Sequence, residues 1–179
     1  MQDVMIDLET MGQGPDAAIV AIGAVEFNRE TCELGATFYT AVDLESSVRA
    51  GGVIDAGTVM SWLRQSAEAR AALSVAEAVQ LPTALAAFSG WLRGRADLSK
   101  VRIWGNGADF DNVILGNAYR RLQLLQPWKF WNSRCYRTWK SEHRDVAMER
   151  AGVHHNALDD AISQAQHMLQ VPLLVHPEA

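Results

Sequence analysis

Two acids set two positions apart in an apolar run give this sequence its first chemical feature: Val4-Met5-Ile6-Asp7-Leu8-Glu9-Thr10. On a β-strand, side chains alternate between faces, so Asp7 and Glu9 share one face while Ile6 and Leu8 share the other. Carboxylates about 6–7 Å apart along a strand repel each other unless a cation sits between them. A hard divalent ion such as Mg²⁺ answers that need, because it takes oxygen ligands and requires only one or two carboxylates from the protein. A turn-capping acid beside a solvated one gives the same pattern, so the pair must be tied to other residues.

Three more residues can join it. Asp111 lies in the first turn of a helix that follows a short strand, where Gly105 and Gly107 permit a tight turn presenting the acid at the end of a sheet. Asp109 competes for this place, and it also suits a helix N-terminus. His155 stands just before another helix, and Asp160 follows in its second turn, so the two can converge on one ligand. A cap or a surface imidazole is the plain alternative for His155. On that helix Asp160 and Gln164 share a face, while Ala161 and Ala165 pack inward.

The elements that must position these groups are readable in outline. Residues 2–8, 17–27 and 34–42 read as three strands joined by short turns, an antiparallel meander. Gly23 marks a bulge or a close backbone approach. Residues 44–74 are helical but broken, with Thr58 as the cap of 59–65. A clearer helix begins at 81–83, with Leu85, Phe88, Trp91 and Leu92 at helical spacing. This apolar stretch, 81–98, either fills the core or pairs with another chain. A buried strand over 101–104 leads into a helix over 109–122. Residues 137–151 and 156–171 read as two last helices, ended by Gly152 and Pro172. The sum is a mixed α/β layer structure in one domain over 1–175, with 176–179 a frayed tail.

The composition, 49% hydrophobic and 21% charged, is that of an ordinary soluble globular chain. No apolar run reaches the roughly 18–20 residues of a membrane span, and the first residues do not read as a signal peptide. Cys32 and Cys135 fit neither a disulfide framework nor a zinc spacing. The expectation is a cytoplasmic protein with reduced thiols and no membrane partner. A net charge of −5 argues against a polyanionic partner until its distribution is considered. Residues 120–150 hold eight Lys or Arg against three Asp or Glu. Such a segment marks either the path of an anionic substrate or a solvated helix face.

Together these residues resemble the DEDDh, or DnaQ-like, exonucleases of the ribonuclease H-like superfamily. Three blocks carry the resemblance in the family's order: Asp7-Leu8-Glu9-Thr10, then Asn106-Gly107-Ala108-Asp109-Phe110-Asp111, then His155 with Asp160. In the second block the family's acid follows an aromatic residue, so the resemblance gives the metal role to Asp111 rather than Asp109. Trp104-Gly105-Asn106-Gly107, Asp111-Asn112-Val113-Ile114-Leu115, Pro127-Trp128-Lys129-Phe130-Trp131 and Arg137-Thr138 are similar to a narrower branch. That branch is the small stand-alone 3′–5′ exoribonuclease type first recognised in mycobacteria. Proofreading relatives usually have His-Asn where this chain has Asn106-Gly107.

The resemblance implies an α/β, ribonuclease H-like fold: a mixed central sheet, its N-terminal antiparallel meander joined by parallel strands, flanked by helices. It implies a metal-dependent 3′–5′ exonuclease that hydrolyses single-stranded nucleic acid, RNA favoured, from the 3′ end to nucleoside 5′-monophosphates. Two Mg²⁺ or Mn²⁺ ions about 3.5–4 Å apart would be held by Asp7, Glu9, Asp111 and Asp160. Asp7 would bridge both, Glu9 and Asp160 would complete one site, and Asp111 would hold the other. His155 would be the general base, a role its near-neutral pKa suits. Two such ions cancel the charge of the four carboxylates. The narrower branch commonly forms homodimers, so a homodimer is expected.

Substrate contacts are expected from Thr10, Met11, Gly12 and Asn106, and from Arg137, Lys140 and Arg144, whose helical spacing suits phosphates. Glu9 or the backbone of 10–12 is the natural reader of a 2′-OH. Trp128 and Trp131 could stack on bases, although Trp128, Phe130 and Trp139 suit a core better. A 3′–5′ exodeoxyribonuclease or proofreading-type subunit shares the same chemistry. A nucleic-acid-binding module without catalysis is the reading from outside the enzymes.

Overall fold

β1 (Asp3–Thr10) is buried on both faces over its first half, with apolar Val4, Met5 and Ile6 after Asp3, as in a strand covered from both sides. It pairs antiparallel with β2 (Ile19–Asn28), which pairs antiparallel with β3 (Glu33–Ala41). β4 (Arg102–Gly105) adds to β1 in parallel, and β5 (Ser133–Cys135) adds to β4. The sheet order is β3-β2-β1-β4-β5. In this computed structural model residues 3–171 are described, apart from 72, 74–76 and 108. The described helices are α1 (Leu44–Arg49), α2 (Ala56–Trp62), α3 (Ala67–Ala71), α4 (Leu81–Arg93), α5 (Asp111–Arg121), α6 (Tyr136–Glu142) and α7 (Ala157–Leu169).

The two faces of the sheet carry separate cores. Val4, Ile6 and Leu8 pack with Leu85 and Phe88 of α4 and with Ile114 and Tyr119 of α5. On the other face Met5 packs with Val25, Phe27 and Trp104, under Tyr136 and Trp139 of α6 and Ala161, Ala165 and Met168 of α7. Beyond Met5 that second face carries Asp7 and Glu9, so an apolar core gives way to acids within one strand. A smaller cluster of Met11, Ala18, Val20, Trp62 and Ala69 ties α2 and α3 to the end of β1.

The mixed sheet, its meander and the parallel strand over 102–105 match the sequence reading. Elsewhere it needs correction. The helix expected over 137–151 stops at Glu142, and the stretch from 143 to 156 is neither helix nor strand. β5 falls in a segment with no strand signal, since three residues carry no periodicity. α2 is capped by Asp55, whose side chain accepts from the N–H groups of Gly57 and Thr58, not by Thr58 itself. Phe130 and Trp131 are 77% and 60% exposed, so Phe130 leaves the expected core, whereas Trp128 is buried and cannot stack on a base. Phe88 is buried and Trp91 stacks on it, so 81–98 fills the core. The expected tail, 176–179, lies outside the described residues.

Candidate active site

Asp7 sits on β1 opposite Gly23 of β2. A Cβ at Gly23 would lie 2.2 Å from the backbone carbon of Ala157. The missing side chain therefore lets the start of α7 rest directly on the sheet, the close approach anticipated at this glycine. Asn156 caps that start, its side-chain oxygen accepting from the N–H groups of Leu158 and Asp159. Asp160 then falls in the first turn of α7, earlier than its expected second turn. The result is that carboxylate oxygens of Asp7, Glu9 and Asp160 lie within 4.8 Å of one another.

Asp111 closes the group from the other side. It is the first residue of α5 and is 1% exposed, whereas Asp109 is exposed. Its Oδ1 accepts from Leu8 N–H at 3.1 Å and its Oδ2 from Asn106 N–H at 2.7 Å, which stitches β1 to the turn after β4. A Cβ at Gly105 would come within 2.9 Å of the Asp111 Cβ, so glycine is needed for this turn to close. Burial pushes Asp111 up to about 6, against the pull of those two backbone donors.

Four acids at one place repel. Burial, followed by the charges of Asp111, Glu9 and Asp160, holds the Asp7 carboxyl well above the usual carboxylate range, and the amide of Gln164, donating to Oδ1 at 2.8 Å, opposes this only in part. Burial and the charges of Asp160 and Asp111 push Glu9 up to about 8. Glu9 Oε1 is buried with no hydrogen-bond partner among the described residues. An all-oxygen donor set with an orphaned buried oxygen fits a hard divalent cation such as Mg²⁺ or Mn²⁺.

His155 takes a left-handed backbone, φ 65°. Its N–H donates to Asp160 Oδ2 at 3.0 Å, and its ring meets the edge of Trp62 at 5.6 Å. Burial, followed by neighbouring His154, lowers its pKa below the ordinary imidazole value, against the opposing charge of Asp160. Arg150 donates to the second oxygen of Asp160 at 3.1 Å. Trp62 Nε1 donates to the Thr10 carbonyl, so α2 forms a fixed wall at the end of β1.

Asp7, Glu9, Asp160 and His155 line a cleft of about 330 Å³, whereas Asp111 is not among its lining residues. Of the expected substrate contacts, Thr10, Gly12, Asn106 and Lys140 line it. Met11 does not: it is buried in the cluster around Trp62. Arg144 lies beyond the end of α6 and donates to Ser141 O, so the expected row of three cations does not continue. Arg137 is exposed and outside the cleft lining, although its charge acts on Asp111. Gln164, Trp62 and Arg150 were not anticipated as site residues. Gln164 shares a helix face with Asp160, a signal the sequence did carry. Nothing local in the sequence ties Trp62 or Arg150 to this place.

The model of the 3′–5′ exoribonuclease Rv2179c-like domain matches residues 2–171. The exodeoxyribonuclease of Enterobacteria phage T4 is 30% identical over 161 residues, spanning 77% of this chain and 70% of the phage protein. The nuclease domain of 3′hExo, a DEDDh family member solved with rAMP, has the same fold, with a TM-score of 0.62 at 18% identity over 94% of this chain and 90% of that one. Exonuclease I of E. coli, solved with a dT13 oligonucleotide, gives a TM-score of 0.61 at 15% identity over 94% of this chain, which spans only 39% of that protein. With Asp7, Glu9, Asp160 and His155 lining one cleft and Asp111 buried beside it, the chain belongs to the 3′–5′ exoribonuclease Rv2179c-like domain family and is a 3′–5′ exonuclease.

Proposed function

We propose that this protein hydrolyses single-stranded RNA, in preference to DNA, from the 3′ end and releases nucleoside 5′-monophosphates. Asp7, Glu9, Asp111 and Asp160 would hold two Mg²⁺ or Mn²⁺ ions, which would supply charge stabilisation for the attacking and leaving oxygens of the phosphodiester. The observation that carries this reading is the convergence of Asp7, Glu9 and Asp160 within 4.8 Å, with no cation on Asp7 or Glu9 among the described residues. Asp111 uses both oxygens for backbone N–H groups, and each oxygen retains a lone pair for a further contact.

His155 accepts the proton of the attacking water. The Asp160 carboxylate fixes the left-handed turn that carries the imidazole by accepting the His155 backbone N–H, and Trp62 packs against the ring. Lys140 and the Asn106 side of the cleft meet the strand's phosphates and sugar. The preference for RNA is supported by the description of the matching family. The name of the phage relative supports the second reading, an exodeoxyribonuclease with the same chemistry.

The test is degradation of two 5′-labelled single strands of one sequence, RNA and DNA, with Mg²⁺ or Mn²⁺, with EDTA, and with the Asp7→Asn protein. A metal-dependent ladder shortening from the 3′ end, faster on RNA and absent in the variant, is the expected result. Faster loss of DNA selects the second reading. Binding without cleavage of either strand would overturn both.

A further inference from the structure

Asp160 belongs to two clusters. One is the all-oxygen set with Asp7 and Glu9. The other joins it to His154 and His155, with ligand atoms of all three within 4.8 Å of one another. Neighbouring residues on an extended chain point to opposite sides. Here the left-handed turn at His155 brings the two imidazoles to the same side, with ring centroids 3.8 Å apart and planes tilted by 35°. His154 is exposed and His155 and Asp160 are half-buried, so an ion reaches this place from the cleft without opening the fold.

The two clusters differ in chemistry. Carboxylate oxygens suit Mg²⁺ and Mn²⁺, whereas imidazole nitrogens suit Zn²⁺ and other late first-row ions. Two imidazoles and one carboxylate with an open fourth position form a zinc donor set. We propose that His154, His155 and Asp160 form a Zn²⁺ site, distinct from the all-oxygen cluster but sharing Asp160 with it, and that Zn²⁺ bound there inhibits the exonuclease. The proposal rests on the reading of His155 as proton acceptor: Zn²⁺ takes the ring lone pair that the proton needs. It also draws Asp160 away from Asp7 and Glu9 and displaces the Arg150 guanidinium from Asp160. His154 is neither a ligand of the proposed Mg²⁺ ions nor the proton acceptor, so its loss separates the zinc site from the chemistry.

The test is titration of Zn²⁺ into the full chain in excess Mg²⁺, by calorimetry and by RNA hydrolysis in parallel, for the wild type and His154→Gln. The wild type is expected to bind one Zn²⁺ per chain and lose activity as the site fills. His154→Gln is expected to need at least about tenfold more Zn²⁺ for binding and for inhibition, the latter measured against its own Mg²⁺-supported rate, because a ligand matters at least as much as the partners that orient it. Equal Zn²⁺ affinity in the two proteins, or no Zn²⁺ binding by the wild type in excess Mg²⁺, would overturn the site. Zn²⁺ binding that depends on His154 but leaves hydrolysis untouched would uphold the site and overturn the role of His155 as base.

Discussion

β1 buries carboxylates at both ends of one face, and the protein treats the two ends in opposite ways. Asp3 is supplied from within: Arg102 meets it with two guanidinium N–H groups, and Trp104 Nε1 donates to it at 2.7 Å. At the other end Asp7 receives the uncharged Gln164 amide, and Glu9 Oε1 has no partner among the described residues. The neighbouring strand matches each end. Phe27 stands opposite Asp3 and packs against Trp104, which closes that end. Gly23 stands opposite Asp7 and admits the backbone of α7, which brings a further acid. A buried acid with its countercharge built in holds strands together. A cluster of buried acids without one is a site for an ion the chain must collect from solution.

The largest test of that contrast is Asp7→Asn. Turnover should fall by several orders of magnitude, while thermal unfolding in EDTA stays unchanged or moves up, because the substitution removes a repelling charge. Retention of more than about a tenth of the wild-type rate would break the assignment of Asp7 as an ion ligand. Gly23→Ala comes next. The added methyl collides with the Ala157 backbone and pushes α7, with Asp160 and His155, away from Asp7. A displacement near 1 Å should cost about 100-fold in rate, and steady-state kinetics on a labelled strand measures it. A wild-type rate would mean that α7 does not set the acid geometry.

Asp3→Asn is the converse change. It leaves Arg102 without its carboxylate in a pocket where that side chain is 18% exposed. Stability should fall by about 3 kcal/mol, the lower part of the range for a broken buried pair. The rate per folded molecule should be kept. Denaturant unfolding together with the rate on folded protein checks both halves, and a rate loss matching that of Asp7→Asn would erase the distinction between the two ends.

How much of this was legible in the sequence differs between the ends as well. Asp7 and Glu9 announce themselves by alternation within an apolar run, and a strand carries that alternation directly into space. Gly23 was readable as local chemistry, because a close approach leaves a residue type behind, whereas the cap of α7 falls on Asn156 and not on His155, the cap the sequence reading offered. Asp3 was not readable as a paired acid, since its partner lies 99 residues away on β4 and a pairing across a parallel crossover leaves no local pattern. The same holds for Trp62, which reaches Thr10 across 52 residues. The overextended helix after Arg137 has a different cause: the buried apolar residues that would anchor a longer helix end with Trp139.

The pH dependence of stability sharpens the contrast further. Glu9 stands near 8 in the fold against 4.5 as a free side chain, and Asp7 is raised in the same sense. The folded, metal-free protein therefore holds protons that the unfolded chain has released. Stability is fully present below about 4.5 and is lost as pH rises through about 8. Mg²⁺ should reverse the loss, and its stabilising effect should be larger at about pH 9 than at about pH 5, where protons compete for the same oxygens. Urea unfolding with EDTA or Mg²⁺ at the two pH values measures this. A metal-free stability that stays flat with pH would mean that the acids at the cleft end are already paired.

The smallest effect concerns what the acid end faces. Lys140 lines the cleft, whereas Arg144 turns to the carbonyl of Ser141 beyond the end of α6. If Lys140 neutralises one phosphate of a bound strand, Lys140→Ala should reduce the slope of log affinity against log salt by about 0.7, the value for one contact on a single strand. Arg144→Ala should leave that slope unchanged. Measured by fluorescence anisotropy in the Asp7→Asn background, where the strand is not consumed, equal slopes for the two alanine variants would return Lys140 to the solvated surface. A lowered slope for Lys140 alone would show that the cation missing beside Asp7 and Glu9 has been placed instead where the polyanion lies.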